Sequence, residues 1–99
     1  MWGWYMHNLI WYLFAATRGG EMRAKIIDSL ITKPKNANQL ARDLKVDYKT
    51  IQHHLRVLYE NRMMVIVNEG TYGATYFISP LMKENIITFE EIWKRFGKK

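Results

Sequence analysis

Ninety-nine residues, 48% of them hydrophobic, suffice for one domain with a single core and are too apolar for a disordered chain. Fifteen Lys and Arg against nine Asp and Glu leave a net charge of +6, which favours a polyanionic partner such as nucleic acid or an anionic membrane surface. The absence of cysteine excludes disulfides and thiolate metal sites and permits a reducing cytoplasm.

Residues 1–16, MWGWYMHNLIWYLFAA, carry no charge and three of the four tryptophans. As a helix they span roughly 24 Å, short of the roughly 30 Å hydrocarbon core of a bilayer. Two readings stand: a helix buried by the domain or by a second copy, and a segment in contact with a membrane, where Trp and Tyr prefer the interface. A signal peptide is disfavoured, because no basic residue precedes the run and no small-x-small site ends it. Thr17-Arg18-Gly19-Gly20 breaks the run, with two glycines giving the backbone freedom to turn, and the main boundary is placed there. A helix follows from near Glu21 to near Lys33, where Pro34 stops it. Met22, Ile26, Ile27, Leu30 and Ile31 form its apolar half, ringed by Arg18, Arg23, Lys25, Lys33 and Lys35, for most of which a solvated surface is expected.

The stretch from Asn36 to Met64, NANQLARDLKVDYKTIQHHLRVLYENRMM, reads as two helices joined by a tight turn. Asn36 and Gln39 fit a capping-box variant, and Ala37, Leu40, Ala41 and Leu44 fall on one face. Asp47 is a favoured N-cap for the second helix, and only Lys45 and Val46 separate it from Leu44, so the two helices must cross sharply. At 100° per residue, Ile51, Leu55 and Leu58 form an apolar arc flanked by Tyr48 and Tyr59 on one side and His54 on the other. Lys49, Gln52, His53, Arg56 and Glu60 face away. Any amphipathic helix needs such a polar face, but this one is rich in donors able to reach phosphates or base edges in a major groove.

DYKTIQHHLRVLYENRMM resembles the recognition helix of winged-helix regulators of the ArsR-like class, whose usual wording is close to S-x-x-T-V-S-x-H-L-x-V-L-x-x-x-G-L-V. Thr50, Ile51, His54, Leu55, Val57 and Leu58 match, and Met63 and Met64 stand where the family ends in Leu-Val. NANQLARDLKVDYKT is similar in particular to archaeal members, some of which carry membrane segments before this domain. The likeness extends loosely over residues 17–96 and is strong over 36–58. Asn61-Arg62 replaces the family's common turn glycine, and the missing cysteines remove the metal-sensing motif of many members.

Residues 63–67 and 75–78 are short β-prone runs around a loop with two glycines, a hairpin in the position of the family's wing. Tyr72 near its tip is placed to stack or hydrogen-bond on DNA. The loop NEGTYGA has no Lys or Arg and contains Glu69, so its electrostatic contribution is expected to be weak, and a purely structural hairpin is the competing reading. Ser79-Pro80 starts, and Gly97 ends, what is expected to be one long helix. Met82, Ile86, Phe89, Trp93 and Phe96 form its seam, although Ile86-Ile87-Thr88 is poor helix material and a separate helix beginning at Thr88 is the alternative. Lys94, Arg95, Lys98 and Lys99 suit the helix C-terminus.

His53 and His54 diverge by about 100° and cannot easily share an ion, and no nucleophile, base and orienter set is recognisable. No catalytic residue, metal or cofactor is expected. The predicted fold is mainly α with a small β-hairpin, a winged helix-turn-helix over residues 17–79. To this are added an apolar N-terminal helix, 1–16, for dimerisation or membrane contact and a C-terminal helix, 80–99, for dimerisation. The resemblance implies a cytoplasmic, sequence-specific regulator of transcription that binds double-stranded DNA as a homodimer. Tyr48, Lys49, Thr50, Gln52, His53, Arg56 and Tyr72 are the expected DNA contacts; Trp4, Trp11, Phe89, Ile92, Trp93 and Phe96 are the expected dimer contacts. The alternatives are a protein-interaction winged-helix module and a membrane-tethered regulator.

Overall fold

The computed structural model describes residues 2–71 and 73–97, without the side chains of Trp2 and Phe96. Tyr72, Lys98, Lys99 and the Phe96 side chain therefore lie outside the described residues. The chain runs through α1 (Trp2–Trp11), which continues as a π-helical stretch at Tyr12–Ala16, then α2 (Gly20–Thr32), α3 (Ala37–Leu44) and α4 (Tyr48–Glu60). The strands β1 (Met64–Val67) and β2 (Thr75–Ile78) follow, then α5 (Pro80–Glu84), α6 (Ile86–Ile92) and a second π-helical stretch at Trp93–Gly97.

Local chemistry accounts for most of these bounds. Asn36 accepts from the Gln39 backbone N–H at 2.7 Å while the Gln39 side chain accepts from the Asn36 N–H at 2.8 Å, the reciprocal capping box that starts α3. Ser79 Oγ accepts from the Met82 N–H at 3.0 Å, and Pro80 fills the first helical position of α5. The strands pair antiparallel with Met64 opposite Ile78 and Val67 opposite Thr75. Lys35 adds a single-residue bridge to Tyr76, tying the segment after α2 to β2. No glycine sits in the turn before β1; Arg62 there adopts a left-handed φ of 63°, a conformation that favours glycine.

Packing is organised around α2, which touches the Tyr12–Ala16 stretch, α3, α4, β2 and the C-terminal stretch. Ala24, Ile26, Ile27 and Leu30 are buried there, while Ile31, predicted on the apolar half, is 41% exposed at its edge. The two ends of the chain close over one another: Phe14 meets Phe89 edge-on, with ring centroids 4.9 Å apart. Phe89, Ile92 and Trp93 are thus buried within a single chain, by α1 and its extension. The sequence expectation that this stripe needs a second copy to cover it is corrected accordingly.

The one long C-terminal helix is also corrected. It breaks at Asn85, whose backbone leaves the helical region (φ −116°, ψ 17°) while its side-chain amide donates to Leu81 O at 2.9 Å. An Asn that bonds to local backbone ahead of two β-branched residues is a natural interruption, and it comes before Thr88. The glycine pair has a different role from the one read in the sequence. Neither Gly19 nor Gly20 has a positive φ. A Cβ on Gly20 would stand 2.8 Å from the backbone carbonyl carbon and oxygen of Phe14, so the close approach of α2 to the preceding helix demands glycine. Gly20→Ala is expected to lower stability by about 1–3 kcal/mol. Gly73→Ala, which meets only Thr71 Oγ1 at 3.9 Å, should change it by less than about 0.5 kcal/mol. Urea unfolding followed by circular dichroism measures both.

Candidate nucleic-acid interface

The turn between α3 and α4 is set by Lys45, in the left-handed region at φ 59°, and by the Val46 N–H, which donates to Ala41 O at 3.0 Å. Asp47 occupies the N-cap position of α4, but its carboxylate accepts from Thr50 Oγ1 at 2.8 Å and from no backbone N–H. Its negative charge still favours the positive end of the helix dipole. Ile51, Leu55 and Leu58 are at most 2% exposed, which fixes the rotation of α4 about its axis.

That rotation leaves Lys49, Gln52, His53 and Arg56 on the solvent side, together on one face. Tyr48 is also exposed, and its hydroxyl accepts from Gln52 Nε2 at 3.0 Å, a bond that steadies the Gln52 amide and does not use its oxygen. Thr50 is half-buried with its hydroxyl proton committed to Asp47, so it offers a partner only oxygen lone pairs. Tyr72 lies outside the described residues. From the hairpin, Tyr76 is half-buried with Ile66 and Glu69 in a groove whose α4 side is Gln52, Leu55, Arg56 and Tyr59. Burial pushes its phenol upward, and Tyr48 and Glu69 add to this. Sequence reasoning missed Tyr76; strand alternation alone does not tell which face of a two-stranded hairpin meets the helix.

Two cations expected on the solvated ring turn inward. Lys35 Nζ donates to Ser29 Oγ at 2.6 Å and lies 3.3 Å from Asp43 Oδ2. Arg23 is 6% exposed and bonded to the N-terminal helix. Of the expected dimer contacts, Trp4 is 75% exposed and Trp11 half-buried, while Phe89, Ile92 and Trp93 are buried within the chain. Among the described residues no group of three or more His, Cys, Asp or Glu could hold a metal ion.

The span from the first residue of α2 to the residue before β1, 20–63, matches the family described as bacterial regulatory protein, arsR family. Residues 20–63 are an ArsR-family domain. The ArsR-family domain is a DNA-binding domain of transcription regulation, and the two-stranded hairpin that follows it completes a winged helix-turn-helix. A search of curated proteins found no match to the chain.

In an ArsR-family domain built this way, the two faces of α4 separate stability from surface chemistry. Ile51→Ala removes volume from a fully buried site and should cost about 2–5 kcal/mol. Lys49→Ala, on the opposite face, should stay within about 0.5 kcal/mol of the parent. Chemical denaturation of the two variants gives both values.

Proposed function

We propose that the chain is a sequence-specific regulator that binds double-stranded DNA as a homodimer and reads the major groove with α4. The observation that carries this reading is the joint exposure of Lys49, Gln52, His53 and Arg56 on one face of the second helix of an ArsR-family helix-turn-helix. Lys49 and Arg56 neutralise phosphates, and Arg56 has the fork geometry to take a guanine edge instead. Gln52, steadied by Tyr48, makes paired hydrogen bonds to an adenine edge. Thr50 and His53 flank these contacts, and Tyr72, which by sequence falls in the loop between the two strands, is the remaining proposed contact.

Association uses the outer face of α1. Trp4, Tyr5 and Tyr12 are more than half exposed on a helix without charge, a surface that a second copy would cover. Trp11 borders that face, while Phe89, Ile92 and Trp93 act by holding α1 in place. Residues 1–16 and 80–99 thus form an association layer on the 17–79 winged helix. A two-fold dimer would set two copies of α4 roughly 34 Å apart, on one face of a palindromic site. The same Trp and Tyr side chains favour a second reading, in which α1 lies at a membrane surface. No helix of the described residues is long and apolar enough to cross a membrane.

Fluorescence anisotropy on specific and scrambled duplexes tests the reading face. Lys49→Ala should weaken all sequences alike and reduce the slope of log affinity against log salt by about one. Gln52→Ala should cost about 1–3 kcal/mol, mainly on the preferred site. Light scattering tests association: the parent is expected as a dimer and Trp4→Glu as a monomer, at micromolar concentration. A monomeric parent that sediments with lipid vesicles would move α1 to the membrane reading.

A further inference from the structure

Among the described residues, Arg23 is a buried charge without a carboxylate partner. Among the described residues no acidic oxygen lies within ion-pair distance of its guanidinium, at 6% exposure. Its donors go instead to three separate parts of the chain. Nε donates to Leu13 O at 2.9 Å, Nη2 to Thr17 Oγ1 at 2.5 Å, and Nη1 lies 3.4 Å from His54 Nδ1. Thr17 Oγ1 passes the chain of bonds on to Tyr12 O at 2.8 Å. Arg23 and Thr17 together therefore satisfy carbonyls left open at the end of the N-terminal helix. On its other side the same guanidinium touches the helix proposed to read DNA. Gly19 closes the cluster: a Cβ there would fall 2.6 Å from His54 Cε1 and 2.7 Å from Arg23 Nη1.

The contact with His54 depends on protonation. A guanidinium only donates, so Nδ1 must present its lone pair, and the neutral ring carries its proton on Nε2. An imidazolium has no lone pair to offer and would place a second cation beside the first in a site that water barely reaches. We propose that Arg23 is a positioning residue for DNA reading: it sets α4 against the end of the N-terminal helix through neutral His54, and the hold is released when His54 takes a proton. This rests on the reading function proposed above.

The groups that bear on His54 are Arg23 from α2 and His53 beside it on α4; Tyr12, from the N-terminal helix, bears in turn on Arg23. Burial is the main cause that holds His54 below the ordinary histidine value of 6.5, with Arg23 and then His53 adding to it. A base whose folded value is depressed contributes stability that is complete above its unfolded value. That contribution is lost as pH falls through the folded value. The hold should thus be intact at neutral pH and weaken on acidification below about 6.5.

The test uses the full chain, Arg23→Met, and His54→Asn, whose side-chain oxygen can accept from Arg23 near the Nδ1 position but does not titrate. His54 is titrated by NMR, and affinity for a duplex is followed across the acid range. Arg23→Met should raise the His54 midpoint and weaken binding about tenfold at neutral pH. The parent should lose affinity relative to His54→Asn as pH falls, and the ratio of the two profiles reports on His54. An unmoved His54 midpoint in Arg23→Met, or superimposable pH profiles for the parent and His54→Asn, overturns the proposal. If Arg23→Met does not fold, the comparison of the parent with His54→Asn decides alone. If neither the parent nor His54→Asn binds DNA, the reading function fails, and the Arg23–His54 contact falls with it as a device for reading.

Discussion

Because α2 touches elements from both ends of the chain as well as α3, α4 and the hairpin, its burial depends on how all of them pack. Its buried side chains, Ala24, Ile26, Ile27 and Leu30, need cover from more surface than a bare helix-turn-helix offers. The terminal segments supply it. Phe14 and Phe89 meet edge-on within the same buried cluster, so the N-terminal and C-terminal additions belong to the core of the domain. Burying each such side chain contributes about 1.5–3 kcal/mol, which makes detachment of the N-terminal helix expensive.

The same packing sorts the charges. Arg23 is drawn into bonds with the end of the N-terminal helix and Lys35 into bonds with α2 and α3, so they do not add to the cationic surface. Lys49 and Arg56 are left exposed, because Ile51, Leu55 and Leu58 turn the opposite side of α4 into the core. A net charge of +6 therefore says less about a binding face than the rotation of one helix does. Glu69 on the hairpin side of the groove gives that face an acidic border, which disfavours phosphate there and directs it toward the α4 side.

What could be read from the sequence was local. The Asn36 and Gln39 capping box, the Ser79-Pro80 helix start, the inner face of α4 and the strand positions all rest on residues a few places apart. What could not be read was tertiary. Periodicity puts Arg23 on a polar edge of its helix, but the carbonyl that draws it inward belongs to Leu13, ten residues upstream. Gly20 looks like a hinge until the backbone of Phe14 is found against it. The Phe89, Ile92 and Trp93 stripe demands a cover, yet its spacing cannot say whether the cover comes from another chain or from the protein's own first helix. Tyr76 was missed for the same reason, since only the fold tells which hairpin residue lies beside α4.

The central claim is that the outer face of α4 is the surface that meets DNA. Its most direct measurement is a titration of the isotopically labelled full chain with a short duplex, followed residue by residue by NMR. The account predicts that the largest changes fall at Lys49, Gln52, His53 and Arg56 and at the adjoining Tyr76, with the outer face of α1 unchanged. Changes centred on Trp4, Tyr5 and Tyr12 while α4 stays silent would contradict it.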